Sequence, residues 1–173
     1  DWTDRFPGIA EALRNADLPA ALIDGEVVAT DAEGNPNFSI LQARLREGAA
    51  QDLQFHAFDL LAADGNDLTA LPLTERKAAL SALLSALPAP IHVAEHIAGH
   101  GEKLFAAMCS AGQEGIISKR ADAPYRSGRT KAWLKVKCTR RQEFVIVGWS
   151  PSSARGRPFS SLLLAQREGG TLV

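Results

Sequence analysis

The stretch WLKVK, residues 133–137, places two lysines two positions apart inside an otherwise apolar run. In an extended strand, successive side chains alternate between faces, so Lys135 and Lys137 share one face while Leu134 and Val136 share the other. Two parallel ammonium groups favour an anion in front of them. The stretch therefore predicts a strand whose polar face meets an anionic ligand.

The composition is that of a globular protein. With 173 residues, 46% of them hydrophobic, the chain can bury a core as one domain, or as one domain and part of another. No apolar run approaches the length of a membrane span and no secretory signal opens the sequence, so we expect a soluble protein without a membrane partner. Cys109 and Cys138 lack C-x-x-C spacing and indicate neither a disulfide framework nor a zinc site, which favours a reducing cytoplasm.

The net charge of −1 hides a basic segment. Residues 119–141 carry 9 Lys or Arg against 1 Asp, whereas residues 1–118 carry 7 against 17 Asp or Glu. Clustered cations attract the phosphates of a polyanion. A solvated surface laced with salt bridges explains the same spacing, so composition alone leaves both readings open.

Periodicity and punctuation predict alternating short helices and strands. Thr74 is expected to cap a helix that carries Leu80, Leu83, Leu84 and Leu87 and stops at Pro88 and Pro90. The other predicted helices are a short one after Pro7, SILQARL and EKLFAAMCSAG. The predicted strands are LPAALIDGEVVATD, LQFHAFDLLAADGND, IHVAEHI, EGIISKR, WLKVKC, EFVIVGW and SSLLLAQ.

Several polar and aromatic residues are candidates for a site. Strand parity places Asp24 and Glu26 on one face, which is more often a solvated face than a functional one. Glu114, at the mouth of a strand, could ligate a hard cation such as Mg²⁺ through oxygen. Phe58 could stack on a nucleobase, although core packing is the commoner fate of such a ring.

One pattern is rejected. His92, Glu95 and His96 spell H-x-x-E-H, which binds zinc only when both histidines share a helical face. The prolines upstream and the β-branched neighbours favour a strand, in which the two histidines would lie roughly 13 Å apart.

The candidates gain weight from their order along the chain. LIDGEVV, FHAFDLL, EGIISKR and WLKVK resemble motifs III, IIIa, IV and V of the covalent nucleotidyltransferases, which include ATP-dependent DNA ligases, RNA ligases and capping enzymes. Longer segments, among them DWTDRFP, PLTERKAAL and the run from Ser118 to Trp149, resemble the ligase module of bacterial multi-domain end-joining DNA ligases. The resemblance spans essentially the whole chain.

This resemblance implies a fold and a set of roles. The fold would be α+β, an ATP-grasp-like adenylation domain of antiparallel sheets flanked by helices in residues 1–139, followed by the first strands of an oligonucleotide-binding barrel (OB-fold) in residues 140–173. ATP would be the cofactor, with Mg²⁺ or Mn²⁺ on Glu114. Phe58 would stack on adenine, Glu26 would contact the nucleotide sugar or the metal region, and Lys135 and Lys137 would hold the α-phosphate.

Three further cations have less specific roles under the resemblance. Lys119 would lie near the phosphates, yet its strand parity is opposite to that of Glu114, so both face one pocket only if a bulge or strand end rotates one of them. Arg126 and Arg129 could contact either ATP phosphates or the DNA backbone.

The sequence departs from the family in one respect. The family's nucleophilic lysine lies in a K-x-D-G motif, and no lysine of this sequence is followed by x-Asp-Gly. We therefore expect a fragment that begins partway into the adenylation domain and cannot form the enzyme-AMP intermediate alone.

The resemblance also implies partners and a location. It predicts a ligase that seals nicked or broken duplex DNA in repair by end joining, in the bacterial cytoplasm and associated with the nucleoid, with end-joining proteins and attached polymerase or nuclease modules as partners. The alternatives are an RNA ligase or capping enzyme, and a non-catalytic nucleic-acid-binding module.

Overall fold

The computed structural model describes residues 1–48, 50–139 and 143–173 of the chain. It divides into two compact units, Asp1–Val136 and Lys137–Val173. The expected domain boundary lies between residues 139 and 140. Residues 140–142, which include Arg140 and Arg141 of the basic segment, lie outside the described part.

A four-stranded sheet forms the centre of the first unit. Its strands are β1 (Ala21–Val28), β2 (Gln54–Ala63), β3 (Asn66–Asp67) and β4 (Ile91–Val93). The central strand β2 pairs antiparallel with β1 and β3 and parallel with β4. The β1–β2 register shifts at Leu22/Ile23 and again at Asp24/Gly25. At each shift β2 has one extra residue, Leu61 and then Phe58, so the alternation of faces is not continuous along β2.

Helices flank this sheet. They are α1 (Pro7–Asn15), α2 (Phe38–Glu47), α3 (Leu73–Leu84) and α4 (Gly101–Ser110). The side chain of Asn37 caps α2 by accepting hydrogen bonds from the backbone N–H groups of Ser39 and Ile40, at 3.0 and 3.2 Å. Gly48 ends α2 in the left-handed region at φ 69°.

The core lies between the sheet and the helices. Helix α3 packs against β2. The buried apolar residues that form the core are Ile9, Ala29, Ala50, Leu53, Ala57, Leu60, Leu80, Leu84 and Ile91. Burial of these side chains provides the main driving force for this arrangement.

Three two-stranded sheets accompany the central sheet among the described residues. In the first unit, β5 (Gly115–Lys119) pairs with β6 (Trp133–Lys137), whose last residue is counted with the second unit. The second unit contains β7 (Val145–Pro151), antiparallel to β8 (Phe159–Ala165), and the short pair β9 (Arg167–Glu168) and β10 (Thr171–Leu172). The predicted α+β class of small antiparallel sheets and helices is confirmed.

Helix α3 corrects one prediction. The helix begins at Leu73 with Pro72 at the N-cap position, so Thr74 lies inside it and is not the cap. It ends at Leu84, one turn before Leu87, because Pro88 disfavours helical geometry at the residue that precedes it. Leu87 still packs against the core from outside the helix.

The strands differ from the prediction in two further respects. The strand predicted over IHVAEHI is confirmed only for Ile91–Val93, so His92 is in a strand while Glu95 and His96 follow it. Strands β9 and β10 were not predicted. Gly169 and Gly170 between them have φ 54° and 90°, the positive values that a two-residue hairpin turn requires.

The described residues contain neither a membrane-spanning helix nor a free thiol. Within residues 1–48, 50–139 and 143–173, no helix has the length and apolar character needed to cross a bilayer. Neither Cys109 nor Cys138 is a free thiol, contrary to the interpretation of their spacing.

Candidate functional site

A cavity of about 190 Å³ opens between the two sheets of the first unit. Its lining residues are Glu26 of β1, Glu114, Gly115, Ile116 and Ile117 at the start of β5, and Lys135 of β6. The Lys135 ammonium lies 2.9 Å from a Glu114 carboxylate oxygen. Because these side chains are 50% and 65% exposed, the pair adds little to stability, and both groups remain accessible to a ligand.

Glu114 reaches the cavity because β5 begins with a glycine. Gly115 has φ 146°, a conformation that other residues rarely adopt, and Glu114 precedes the strand. The direction of Glu114 is therefore not tied to the alternation of β5. Lys119, at the other end of β5, does not line the cavity.

Lys119 belongs instead to a second cluster, the aromatic cage, which comprises Phe58 of β2, Trp133 of β6 and Lys119. The Lys119 ammonium lies 4.0 Å from the Phe58 ring centre and 3.6 Å from the Trp133 ring centre. The two rings are edge to face, with centres 5.8 Å apart. Both distances from the ammonium fall within the range of cation–π attraction.

The surroundings of the aromatic cage are charged. The pKa of Lys119 is lowered to about 8, mainly by burial and then by the charge of Lys77, while Asp59 and Asp24 act in the opposite direction. The ring faces also oppose this shift because they stabilise the charged ammonium. At neutral pH Lys119 therefore remains mostly a cation.

Tyr125 connects the aromatic cage to β1. Its ring lies edge to face with Trp133 at 5.9 Å, and its hydroxyl donates a hydrogen bond to Asp24 at 3.1 Å. Burial raises the pKa of Tyr125, and the Asp24 carboxylate raises it further. The hydroxyl is therefore protonated at neutral pH and can act as the donor.

A buried ion pair supports β2 next to Phe58. Two guanidinium nitrogens of Arg76 donate to the two carboxylate oxygens of Asp59 at 2.8 Å each, and both side chains are fully buried. Arg76 also donates to the carbonyls of Leu71 and Ala123, so it ties α3 to β2 and to the loop that follows β5. The pair therefore fixes the backbone on which Phe58 stands.

Glu26 lies opposite a histidine pair. The register places Glu26 across from His56, and His56 beside His92, whose rings stack with centres 5.0 Å apart. Burial and then the charge of His92 lower the pKa of His56, so His56 is neutral at neutral pH. It adds no positive charge beside Glu26.

Residues 1–137 match the family model of the ATP dependent DNA ligase domain. The chain belongs to this family. The resemblance to ATP-dependent DNA ligases is thus confirmed by an independent comparison.

The chain is also similar to individual DNA ligases and end-joining proteins. It is 40% identical over 165 residues to the multifunctional non-homologous end joining protein LigD of Pseudomonas aeruginosa, across 95% of this chain and 20% of that protein. It is 34% identical over 185 residues to a probable DNA ligase of Streptomyces coelicolor, across 96% of this chain and 35% of that one. The solved structure of mycobacterial DNA ligase D complexed with ATP and MES matches with a TM-score of 0.68 at 35% identity, covering 98% of this chain and 52% of that chain. The chain thus spans a fifth to about a third of these curated relatives.

The structure brings some of the predicted site residues together and leaves others apart. Glu26, Glu114 and Lys135 line one cavity, and Phe58 and Lys119 meet in the aromatic cage. Arg126 and Arg129 are exposed in the loop between β5 and β6 and line neither feature. Lys137 is exposed at the end of β6 and is assigned to the second unit.

Sequence reasoning missed Trp133, Tyr125 and the Asp59–Arg76 pair. For Trp133 a signal was available, because strand parity places it on the same face as Lys135. For the other residues the partners are 17 and 101 positions apart in the sequence, and no local pattern links them.

Proposed function

We propose that the chain is part of the adenylate-handling core of an ATP-dependent DNA ligase that seals nicks or breaks in duplex DNA during end joining. The observation that carries the proposal is the convergence of Glu26, Glu114 and Lys135 on one cavity. The aromatic cage supports the proposal, because strands β5 and β6 contribute residues both to the cage and to the cavity. The sealing activity belongs to the whole protein and is proposed by analogy with the ligase family.

The two features are spaced like the two ends of a nucleotide. Strand β6 contributes Lys135 to the cavity and Trp133 to the aromatic cage, and β5 contributes Ile117 and Lys119 in the same way. Two residues along a strand span roughly 7 Å, which suits a base at one end and the α-phosphate at the other. We place adenine on Phe58 and the phosphates at Lys135, with Lys137 and Arg129 as further phosphate ligands.

The chemistry asks for charge neutralisation more than for acid–base groups. In phosphoryl transfer, negative charge spreads over the phosphate oxygens, and fixed cations lower the barrier. The Lys135 ammonium stabilises that charge, and Glu26 orients the sugar. The residues of this chain bind and orient the nucleotide, and the attacking lysine of K-x-D-G is not among them.

A divalent metal fits the same cavity. Mg²⁺ is usually held by one or two carboxylates together with substrate phosphates and not by a complete protein cage. Glu114, assisted by Glu26, could therefore hold Mg²⁺ or Mn²⁺, although the described residues contain no cluster of three metal-ligating side chains. Such an ion would supply positive charge that neutralises the phosphates.

We also propose contacts with DNA and a cellular location for the protein. Arg126 and Lys131 are exposed in the same loop as Arg129, and we assign these two side chains to the DNA backbone. Residues 140–173 would begin an OB-fold after an adenylation domain in residues 1–139. The setting would be the bacterial cytoplasm near the nucleoid, with end-joining proteins as partners.

Calorimetric titration of this chain with ATP and Mg²⁺ tests the proposal. We expect Lys135→Ala to weaken ATP binding about ten- to hundredfold, because hydrogen bonds to charged groups contribute about 1.5–3 kcal/mol. Lys103→Ala is the matched control, since Lys103 is an exposed lysine on α4 away from the cavity, and it should bind ATP like the wild type.

Three outcomes would contradict the proposal. Equal affinities of wild type and Lys135→Ala would remove the cavity from nucleotide binding. A preference for GTP over ATP would favour a capping-type enzyme. Binding of nicked duplex DNA that weakens steeply with salt, without any ATP binding, would favour a plain nucleic-acid-binding module.

A further inference from the structure

The Phe58 ring is already in contact with a cation of the chain itself. The Lys119 ammonium lies 4.0 Å from the centre of the Phe58 ring and 3.6 Å from the centre of the Trp133 ring. Lys119 extends from β5, whose first residues line the cavity, and its ammonium lies over the Phe58 ring. A base stacked on that face of Phe58 would occupy the same space as the ammonium.

The charges around Lys119 do not lock it in place. Asp24 and Asp59 attract it, but Asp24 accepts a hydrogen bond from Tyr125 and Asp59 is engaged by both nitrogens of Arg76. Lys77 and Arg76 repel it. The ammonium is therefore held mainly by the two rings, an attraction that a stacking base can replace.

We propose that Lys119 is a displaceable occupant of the nucleobase position, which covers Phe58 until a purine nucleoside stacks there. This inference rests on the proposed function, because it takes Phe58 as the base-stacking residue. The four-carbon stem of lysine lets the ammonium leave the ring without movement of β5. Once displaced, it is available to the phosphates of the bound nucleotide, so Lys119 opposes binding of the base and favours binding of the triphosphate.

Replacement of Lys119 by methionine separates these two effects. Lys119→Met keeps the apolar stem and removes the charge, so adenosine should bind about two- to tenfold more tightly than to the wild type. ATP should gain less than adenosine, because its phosphates lose the ammonium. Lys119→Arg retains a cation and should bind adenosine like the wild type, as should Lys77→Met, which removes a nearby lysine that does not touch the rings. Both adenosine and ATP are titrated calorimetrically.

A measurement on the unaltered chain gives a second readout. Methylene protons next to the ammonium lie over two aromatic rings and should resonate upfield in the NMR spectrum. Saturation with adenosine should return them toward ordinary lysine values. A purely structural Lys119 would remain over the rings and keep its upfield shift.

The results distinguish the inference from the function on which it rests. If the wild type binds neither adenosine nor ATP, the proposed function fails. If it binds both, but Lys119→Met binds adenosine no more tightly and the lysine resonances do not move on saturation, the displaceable role is wrong while nucleotide binding stands.

Discussion

At position 25 the fold leaves no room for a side chain. A Cβ atom at Gly25 would collide with the Phe55 ring and would lie 2.9 Å from the carbonyl oxygen of His56. The ring can move, but the carbonyl belongs to the paired strand β2. Gly25 also immediately precedes Glu26 of the cavity, so packing here is coupled to the site.

We expect Gly25→Ala to destabilise the chain by about 1–3 kcal/mol, the usual cost of overpacking, and to weaken ATP binding through the displaced Glu26. Gly101→Ala is the matched control, since a Cβ atom at Gly101 would meet no other atom within 4 Å and the φ of this glycine is not positive. Urea unfolding followed by circular dichroism measures both variants. Equal stabilities would show that β1 has more freedom at Gly25 than its close contacts indicate.

Individual residues differ in how far the sequence predicts them. The grouping of Glu26, Glu114 and Lys135 was predictable because each stands in an ordered motif. The position of Lys119 over Phe58 was not, because it depends on how β5 lies against β2, and no pattern within EGIISKR contains that information.

Between elements, the Asp59–Arg76 pair joins β2, α3 and the loop after β5. Both side chains are 0% exposed, and Arg76 also donates to the carbonyls of Leu71 and Ala123. Each charge has been removed from water, so each depends on the other for compensation. The pair therefore has a larger effect on stability when broken than a surface pair would.

We expect Arg76→Met to destabilise the chain by about 3–5 kcal/mol, because it leaves the Asp59 carboxylate buried without a counter-ion. Arg44→Met breaks a pair with Asp52 that is 3.6 Å long, with side chains 43% and 77% exposed, and should change stability by less than about 1 kcal/mol. Thermal and urea unfolding compare the two variants.

A double variant tests the cause. Arg76→Met combined with Asp59→Leu should recover part of the lost stability, since no buried charge is then left. A loss in Arg76→Met no larger than that in Arg44→Met would show that water reaches Asp59.

Helices and strands with regular apolar spacing were predictable as elements. Helix α3 and strand β2 were both found, because leucines and alternating apolar residues mark them locally. Their pairing through Asp59 and Arg76 was not predictable, since an acid in FHAFDLL and a base in PLTERKAAL look like ordinary surface residues until the fold brings them together.

Across the whole molecule, burial is concentrated in the first unit. All members of the hydrophobic core lie between Ile9 and Ile91. In the described part of the second unit, Ala165 is the one buried residue, and large apolar side chains such as Ile146, Trp149 and Leu163 are more than half exposed. The two units therefore differ in how strongly packing protects their backbones.

Hydrogen exchange measures this difference. We expect amides of β2 to exchange at least about tenfold more slowly than those of β7 and β8, because exchange from a weakly packed ribbon needs only local opening. Peptide-resolved exchange with mass spectrometry at neutral pH resolves both regions. Equal protection would show that the β7–β8 ribbon is stabilised by contacts other than its own core.

The aromatic cage also affects how the molecule can be observed. Of the three indoles, Trp2 and Trp149 are 59% and 61% exposed, whereas Trp133 is partly shielded and lies 3.6 Å from an ammonium. Its emission is thus set by a different local environment from that of the other two. The chain carries a native optical reporter at the position where the base would enter, and ligand entry can be followed without attaching a dye.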